Sequence, residues 1–416
     1  MRKSIQYSLL SLTAMVMVFL FLLLLGRHFG MGLKTDTYFF SLMLIGYLNY
    51  FVQATWEAMQ PYYIKLKVEE PSSASQLYSV LLNGIVLFSL LIIALYFLVT
   101  NSLLELETNQ KDFLNIYIFY ILLQNMLLFN KSVLNLEEYF ASYYVVDIFI
   151  YSFNLLVVLF FLEESILPIA YSMLIATSIA LLWQFYLLFY KLKIDYCFQR
   201  NHSEIKNIYK NSIILKFSGL LYGTKEPLFA LIFLSLGEGL YSIFNYANKF
   251  SAAIFQVTTA PSINRFVTRL HYVVAKRNYE QINRKIKVIL FQTVPIFAIA
   301  TMAFYLLIPY SMPLFFSKVL TAKNIEEMQL IYLYMSLFYL IIVFESPFSN
   351  AISVFKLFNY QLLVNSIFFL SLSLIYLLFK LSSFTYESYL FIIVLAQAIN
   401  FFLYQRKSKI HLKGKQ

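Results

Sequence analysis

YGTKEPLFALIFL, residues 222–234, lies inside a run from Ser212 to Leu234 that is otherwise apolar enough to cross a bilayer. It sets a lysine, a glutamate and a proline side by side near the middle of that run. A charge at the centre of a spanning helix costs roughly 2.5–3.5 kcal/mol to insert, so such residues face a cavity or a partner rather than lipid. Whether the run spans at all depends on the rest of the chain.

The rest of the chain is a membrane protein. Of 416 residues, 60% are hydrophobic and 13% charged, with a mean hydropathy of +0.70, more apolar surface than a soluble core absorbs. The aromatic share of 19% then reads as lipid-facing bulk and interfacial belts rather than base-stacking platforms. The net charge of +11 does not indicate nucleic acid, because the basic residues cluster between apolar runs as the positive-inside rule requires. Cys197 is the single cysteine, so no intramolecular disulfide forms. Residues 5–25 follow Arg2 and Lys3 but are too long for a signal-peptide core, and no small-residue cleavage site follows them. They are expected to form an uncleaved first span.

Runs of roughly 20 apolar residues lie near 6–25, 38–60, 79–99, 113–130, 143–161, 166–190, 212–234, 239–260, 288–310, 329–350, 362–380 and 387–404. They predict an all-α integral membrane protein of about twelve transmembrane helices. The 113–130 run, interrupted by Gln124 and Asn125, is the weakest of them. With the N-terminus inside, inside segments hold roughly 23 Lys and Arg and outside segments about 6. Glu105, Glu107, Asp112, Glu163 and Glu164 fall in outside loops. Both termini are therefore expected in the cytoplasm, and the longest loops, Lys191–Asn211 and Asn264–Lys287, are cytoplasmic too.

The loop near the midpoint divides the spans into two sets of about six, residues 1–200 and 201–416, the layout of an internally duplicated transporter. Tyr38 and Tyr241, Gln53 and Gln256, and Thr55 and Thr258 are separated by one common interval. Their two helices are expected to end at Pro61 and Pro261.

Residues 26–40, GRHFGMGLKTDTYFF, place a glycine-rich turn before Thr-Asp-aromatic-aromatic, and residues 241–250 read YSIFNYANKF ahead of the proline in TTAPSI. These stretches resemble the lipid II flippases and polysaccharide flippases of the multidrug, oligosaccharidyl-lipid and polysaccharide (MOP) exporter superfamily. The resemblance covers about a tenth of the chain by motif, together with the helix count. It implies a MATE-like fold, two six-helix lobes around a central cavity that opens alternately to each face. Lipid II flippases carry arginines in the first helix and late in the second. Here Ser11–Leu25 is uncharged and the late second-helix positions are Asn49 and Tyr50. No two further spans follow residue 404 as they do in the lipid II flippases. The resemblance therefore shifts toward flippases of O-antigen, capsule or related lipid-linked repeat units in a bacterial inner membrane. The implied partners are a lipid-linked oligosaccharide, membrane lipids, and a polysaccharide polymerase or glycosyltransferases.

Three lysines are expected within spans: Lys216, Lys225 and Lys249. Lys216, about one turn from the cytoplasmic end, can snorkel to the interface; Lys225 and Lys249 lie too deep for that. Either they form structural ion pairs or they bind the diphosphate of the substrate. Adjacent helical residues point about 100° apart, so Glu226 is placed to pair with Lys249 rather than Lys225. Glu226 is also the central carboxylate and the candidate for ion coupling. Glu57, Asp147 and Glu345 are expected at cytoplasmic ends in structural roles. Asp36 reads as a helix N-cap or, as the resemblance suggests, part of an outer gate. Pro227 removes a backbone donor and clashes with the carbonyl of Gly223, so the helix is expected to kink there, either as a hinge or as a static bend.

No metal-ligand spacing, cofactor motif or nucleotide loop is present, and His28, His202, His271 and His411 are scattered. The basic loop 265–287 is expected to lie against anionic lipid. Two further functions remain open beside the flippase: a cation-coupled drug antiporter, which needs a carboxylate-dominated cavity, and a membrane glycosyltransferase or polymerase, which needs a large outside loop.

Overall fold

The computed structural model describes residues 2–103, 108–137, 139–161, 165–198, 202–259, 262–263, 266–267, 270, 273, 280–315, 321–355, 357–381 and 385–413. Glu105, Glu107, Glu163, Glu164, Pro261, His271 and most of the loop 265–279 lie outside the described residues, as do the side chains of Gln53 and Glu57.

Every regular element among the described residues is helical: α1 (Arg2–Phe29), α2 (Leu33–Glu69), α3 (Pro71–Leu103), α4 (Thr108–Tyr117), α5 (Tyr120–Leu136), α6 (Phe140–Phe160), α7 (Leu167–Phe185), α8 (Ile205–Gly223), α9 (Lys225–Leu236), α10 (Leu240–Thr258), α11 (Glu280–Phe315), α12 (Ala322–Val354), α13 (Phe358–Leu381) and α14 (Tyr386–Lys413). A π-helix, Tyr186–Lys191, continues α7. Helices are the form an apolar chain takes in lipid, because each peptide group is satisfied within its own segment. Nine stretches among the described residues are long and apolar enough to cross a membrane. One of them, Gln110–Leu136, joins α4 and α5, and another, Lys216–Leu236, joins the end of α8 to α9. Paired in this way, the helices of this multi-pass membrane protein fall on the twelve predicted runs, nine of which are among these stretches.

The chain divides into two compact units, Met1–Gly30 with Thr37–Lys216, and Met31–Asp36 with Phe217–Gln416. In the first, α1 packs on α6, α6 and α5 on α7, and α3 on α5. Met59, Tyr63, Leu77, Tyr78, Phe129, Leu188 and Ile194 form its main buried cluster. Apolar burial hardly distinguishes a neighbouring helix from lipid, so polar pairs help to specify the packing. The Asn49 amide donates to Gln124 Oε1 at 2.8 Å, and the Asn125 amide to Ser89 Oγ at 2.9 Å. Gln124 and Asn125, which weakened this run in the sequence, are thus interhelical contacts.

Two sequence expectations are corrected in this unit. Helix α2 does not end at Pro61 but continues to Glu69. Beyond the proline, Tyr63 donates to Glu137 Oε1 at 2.9 Å, and Lys67 pairs with the same carboxylate. These anchors and the burial of Tyr63 outweigh the single lost backbone bond. Lys131 is a further lysine inside a span, because α5 extends past it to Leu136. It is buried, sits 4.7 Å over the Tyr143 ring, and pairs with Asp147 at 2.5 Å.

In the second unit α12 is central, packing against α10, α11 and α14, while α13 contacts α14 and α9. Ile263, Phe266, Ile282, Ile286, Phe348, Val364 and Tyr404 form its buried cluster. Pro295, Pro309 and Pro313 lie within α11 and Pro347 within α12.

Candidate functional site

The stretch Tyr222–Leu234 is interrupted at Thr224, whose backbone stays in the helical region with φ -59° and ψ -17°. Helix α8 stops at Gly223, and α9 starts at Lys225 with Thr224 between them. The Thr224 hydroxyl bonds back to the Leu220 carbonyl at 3.0 Å, and the Leu228 amide reaches Thr224 O at 3.2 Å. Pro227 therefore occupies the first turn of α9, where a missing N–H costs least. The break falls at Gly223–Thr224, one turn before the proline, because the proline ring excludes a continuous helix through the Gly223 carbonyl.

This break sets Lys225 at a helix start, one turn beyond Tyr222. The ammonium lies 3.6 Å above the centre of the Tyr222 ring and 5.6 Å from that of Phe338. A cation over an aromatic face gains about 2 kcal/mol when desolvated, and it gains this without neutralising its charge. Tyr222 is fixed in turn: its ring stacks on Phe368 with centres 5.1 Å apart, and its hydroxyl donates to Gln397 Oε1 at 3.2 Å. The Gln397 amide donates to Glu345 Oε2 at 2.7 Å. A chain of contacts thus runs Lys225, Tyr222, Gln397, Glu345, drawing on α8, α9, α12 and α14. Asn365 braces the same region, donating to both Ser218 O and Ser218 Oγ at 3.0 and 2.9 Å.

Lys225, Glu226 and Lys249 are each half-buried. The fields of both Glu226 and Glu345 act on Lys225, and that of Glu226 acts on Lys249. Asn245, Asn248 and Lys249 share one face of α10, with Tyr339 donating to Asn248 Oδ1 at 3.3 Å. Lys216 is half-buried too. Helix α8 begins at Ile205, so it extends about 16 Å ahead of Lys216.

Glu345 is a correction. It was expected at a hydrated cytoplasmic end, yet it is only 9% exposed. Helix α12 runs on to Val354, which leaves Glu345 about 13 Å from its terminus. The sequence did signal this: a lysine at the middle of one span calls for a carboxylate on another. Gln397 and Tyr222, neutral members of apolar runs, gave no such sign.

Asp36 is an N-cap, but of a different helix from the one expected. It lies in the first turn of α2, and its carboxylate accepts bonds from Gly239 N at 2.7 Å, Ser242 N at 2.6 Å and Ser242 Oγ at 2.5 Å. These donors form the start of α10. In return Glu238 Oε1 accepts from Leu33 N, the first residue of α2, at 3.0 Å. Gly239 makes the approach possible: its φ is +84°, and a Cβ there would sit 2.2 Å from Met31 O. The two helix starts therefore cap each other within unit 2.

The sequence matches no family model and no curated protein. Solved structures share the fold. An inward-facing multidrug-resistance MATE transporter of the MOP superfamily superposes with a TM-score of 0.77 at 13% identity, over 95% of this chain and 94% of that one. The lipid II flippase MurJ, in an inward closed conformation, gives 0.76 at 16%, over 97% and 87%. A MOP superfamily transporter from Pyrococcus furiosus, described as having a binding pocket of reversed polarity that suggests a different function, gives 0.70 at 13%, over 99% and 95%. The chain shares the fold of these transporters.

Proposed function

We propose that the protein is a flippase that moves a polyprenyl-diphosphate-linked oligosaccharide from the inner to the outer leaflet of a bacterial cytoplasmic membrane by alternating access. The observation that carries this reading is Lys225: a half-buried ammonium deep in a bilayer-spanning segment, held over an aromatic ring at 3.6 Å. Lys249, the second half-buried lysine of the same unit, lies on α10, which packs against α9. A desolvated cation binds a diphosphate through strong charge-assisted bonds. The lipid tail stays in the bilayer while the sugar crosses, and no covalent bond changes, so the protein acts as a transporter rather than an enzyme.

In this reading Lys216 is a further cation that binds the anionic substrate. The Gly223–Thr224 break ahead of Pro227 serves as the hinge, and the Asp36 cap belongs to the outer gate. Both termini lie in the cytoplasm. Glu226 remains the residue for ion coupling should transport depend on a cation gradient.

The drug antiporter of the same fold is the second reading, and Glu345 is the observation in its favour. The two are separated by Lys225→Ala and Lys249→Ala. Each is expected to reduce translocation of a lipid-linked diphosphate sugar in reconstituted vesicles by at least tenfold, about 1.4 kcal/mol, while protein remains in the membrane. Normal translocation in both variants would refute the diphosphate site.

A further inference from the structure

Unit 2 carries two lysines and two glutamates on α9, α10 and α12: Lys225 and Glu226, Lys249, and Glu345. The four formal charges cancel. Their arrangement is specific, because Glu226 acts electrostatically on both lysines, whereas Glu345 acts on Lys225. Glu345 does not stand against the ammonium as a simple surface pair would. Gln397 holds one of its oxygens at 2.7 Å and is itself oriented by the Tyr222 hydroxyl, and the ring of that same Tyr222 carries the Lys225 ammonium.

We propose that Glu345 is the resting counter-ion of Lys225, an internal anion that neutralises the site when it is empty and that the substrate's diphosphate displaces electrostatically when it binds. The inference rests on the reading of Lys225 as the diphosphate site and adds a residue that sets its affinity.

Three physical points support it. An uncompensated ammonium at this depth is costly, and in an empty carrier something on the protein has to balance it. The aromatic contact stabilises Lys225 without neutralising it, so the balance falls to the carboxylates. The coupling is indirect: Tyr222 and Gln397 stand between Glu345 and Lys225. Glu226 acts on both lysines, and on Lys225 more strongly than Glu345 does; Glu345 is joined to Lys225 through the contacts of Gln397 and Tyr222.

A site built this way binds its anion less tightly than two bare lysines would, and releases it faster. Removing the carboxylate should therefore tighten binding and slow turnover, which is the reverse of what loss of a structural prop does. Wild type and Glu345→Gln are compared in vesicles using a fluorescent short-chain polyprenyl diphosphate carrying one hexose. Glu345→Gln is expected to bind this probe about tenfold more tightly and to translocate it more slowly at saturation. Unchanged or weaker binding by Glu345→Gln, with the probe bound by wild type, overturns the proposal.

A second measurement does not depend on the substrate. Lys225→Ala, Glu345→Gln and the double variant are melted in detergent. Lys225→Ala strands the carboxylate, so the double variant is expected to melt above Lys225→Ala; additive losses overturn the pairing. If wild type fails to bind the probe while the melting cycle shows coupling, the counter-ion pair holds and the diphosphate reading fails.

Discussion

Replacing Asp36 by alanine removes one carboxylate that receives three bonds from the start of α10, at 2.7, 2.6 and 2.5 Å. A hydrogen bond to a charged group contributes roughly 1.5–3 kcal/mol. Because the three share one acceptor group, their sum overstates the loss. An independent scale is the N-cap, at about 0.5–2 kcal/mol, increased here because Asp36 is only 1% exposed and its amide donors would be left buried without acceptors. The expected cost is about 3 kcal/mol. Asp36→Asn retains one acceptor oxygen and loses the charge that favours a helix N-terminus, so about 1–2 kcal/mol is expected for it. The assay is thermal unfolding in detergent, with hydrogen exchange of the 240–244 amides as the local readout. The order wild type, Asp36→Asn, Asp36→Ala should hold in both measurements. A melting point for Asp36→Ala within a degree of wild type, with unchanged protection in the first turn of α10, would refute the capping argument.

The Lys131–Asp147 pair gives a second test. Lys131→Ala should cost about 2–4 kcal/mol, toward the low end for a broken buried pair because Asp147 is 31% exposed. Lys131→Met with Asp147→Asn should recover at least half of that loss in the same melting assay, and full additivity would count against a paired role. For topology, in a chain with Cys197 replaced by serine, cysteines introduced within 100–112 and 318–325 should react with an impermeant thiol reagent added outside. Cysteines at 270–280 should not, and the opposite pattern reverses the orientation.

The spans were legible because twenty apolar residues in succession have few other uses, and the basic loops between them set an orientation. Lys225 and Lys249 were legible for the complementary reason, a charge where lipid does not permit one. What the sequence concealed was partnership. Asp36 is 203 residues from Gly239, whose amide it accepts, and Glu345 is 52 from Gln397; no local pattern relates either pair. Glu345 was also misplaced by hydropathy, which closed its span near residue 350 while the helix runs to Val354. Pro61 misled in the other direction, since a proline marks a helix end only where no tertiary contact holds the next turn. The α8–α9 break at Thr224 follows directly after Gly223, whose carbonyl the sequence already set against the ring of Pro227.

That break also bears on how the protein is made. Lys216–Leu236, which contains it, is the least apolar of the nine candidate spans. With a lysine, a glutamate and a proline in one turn, this segment gains little by leaving the insertion machinery for lipid alone. The groups that accept its charges come later in the chain: Lys249 on α10, Glu345 on α12 and, last, Gln397 on α14. Stable residence of α9 in the bilayer therefore waits on synthesis of the C-terminal helix. A chain that stops before residue 397 holds Lys249 and Glu345 but lacks Gln397, the group that orients both Tyr222 and Glu345.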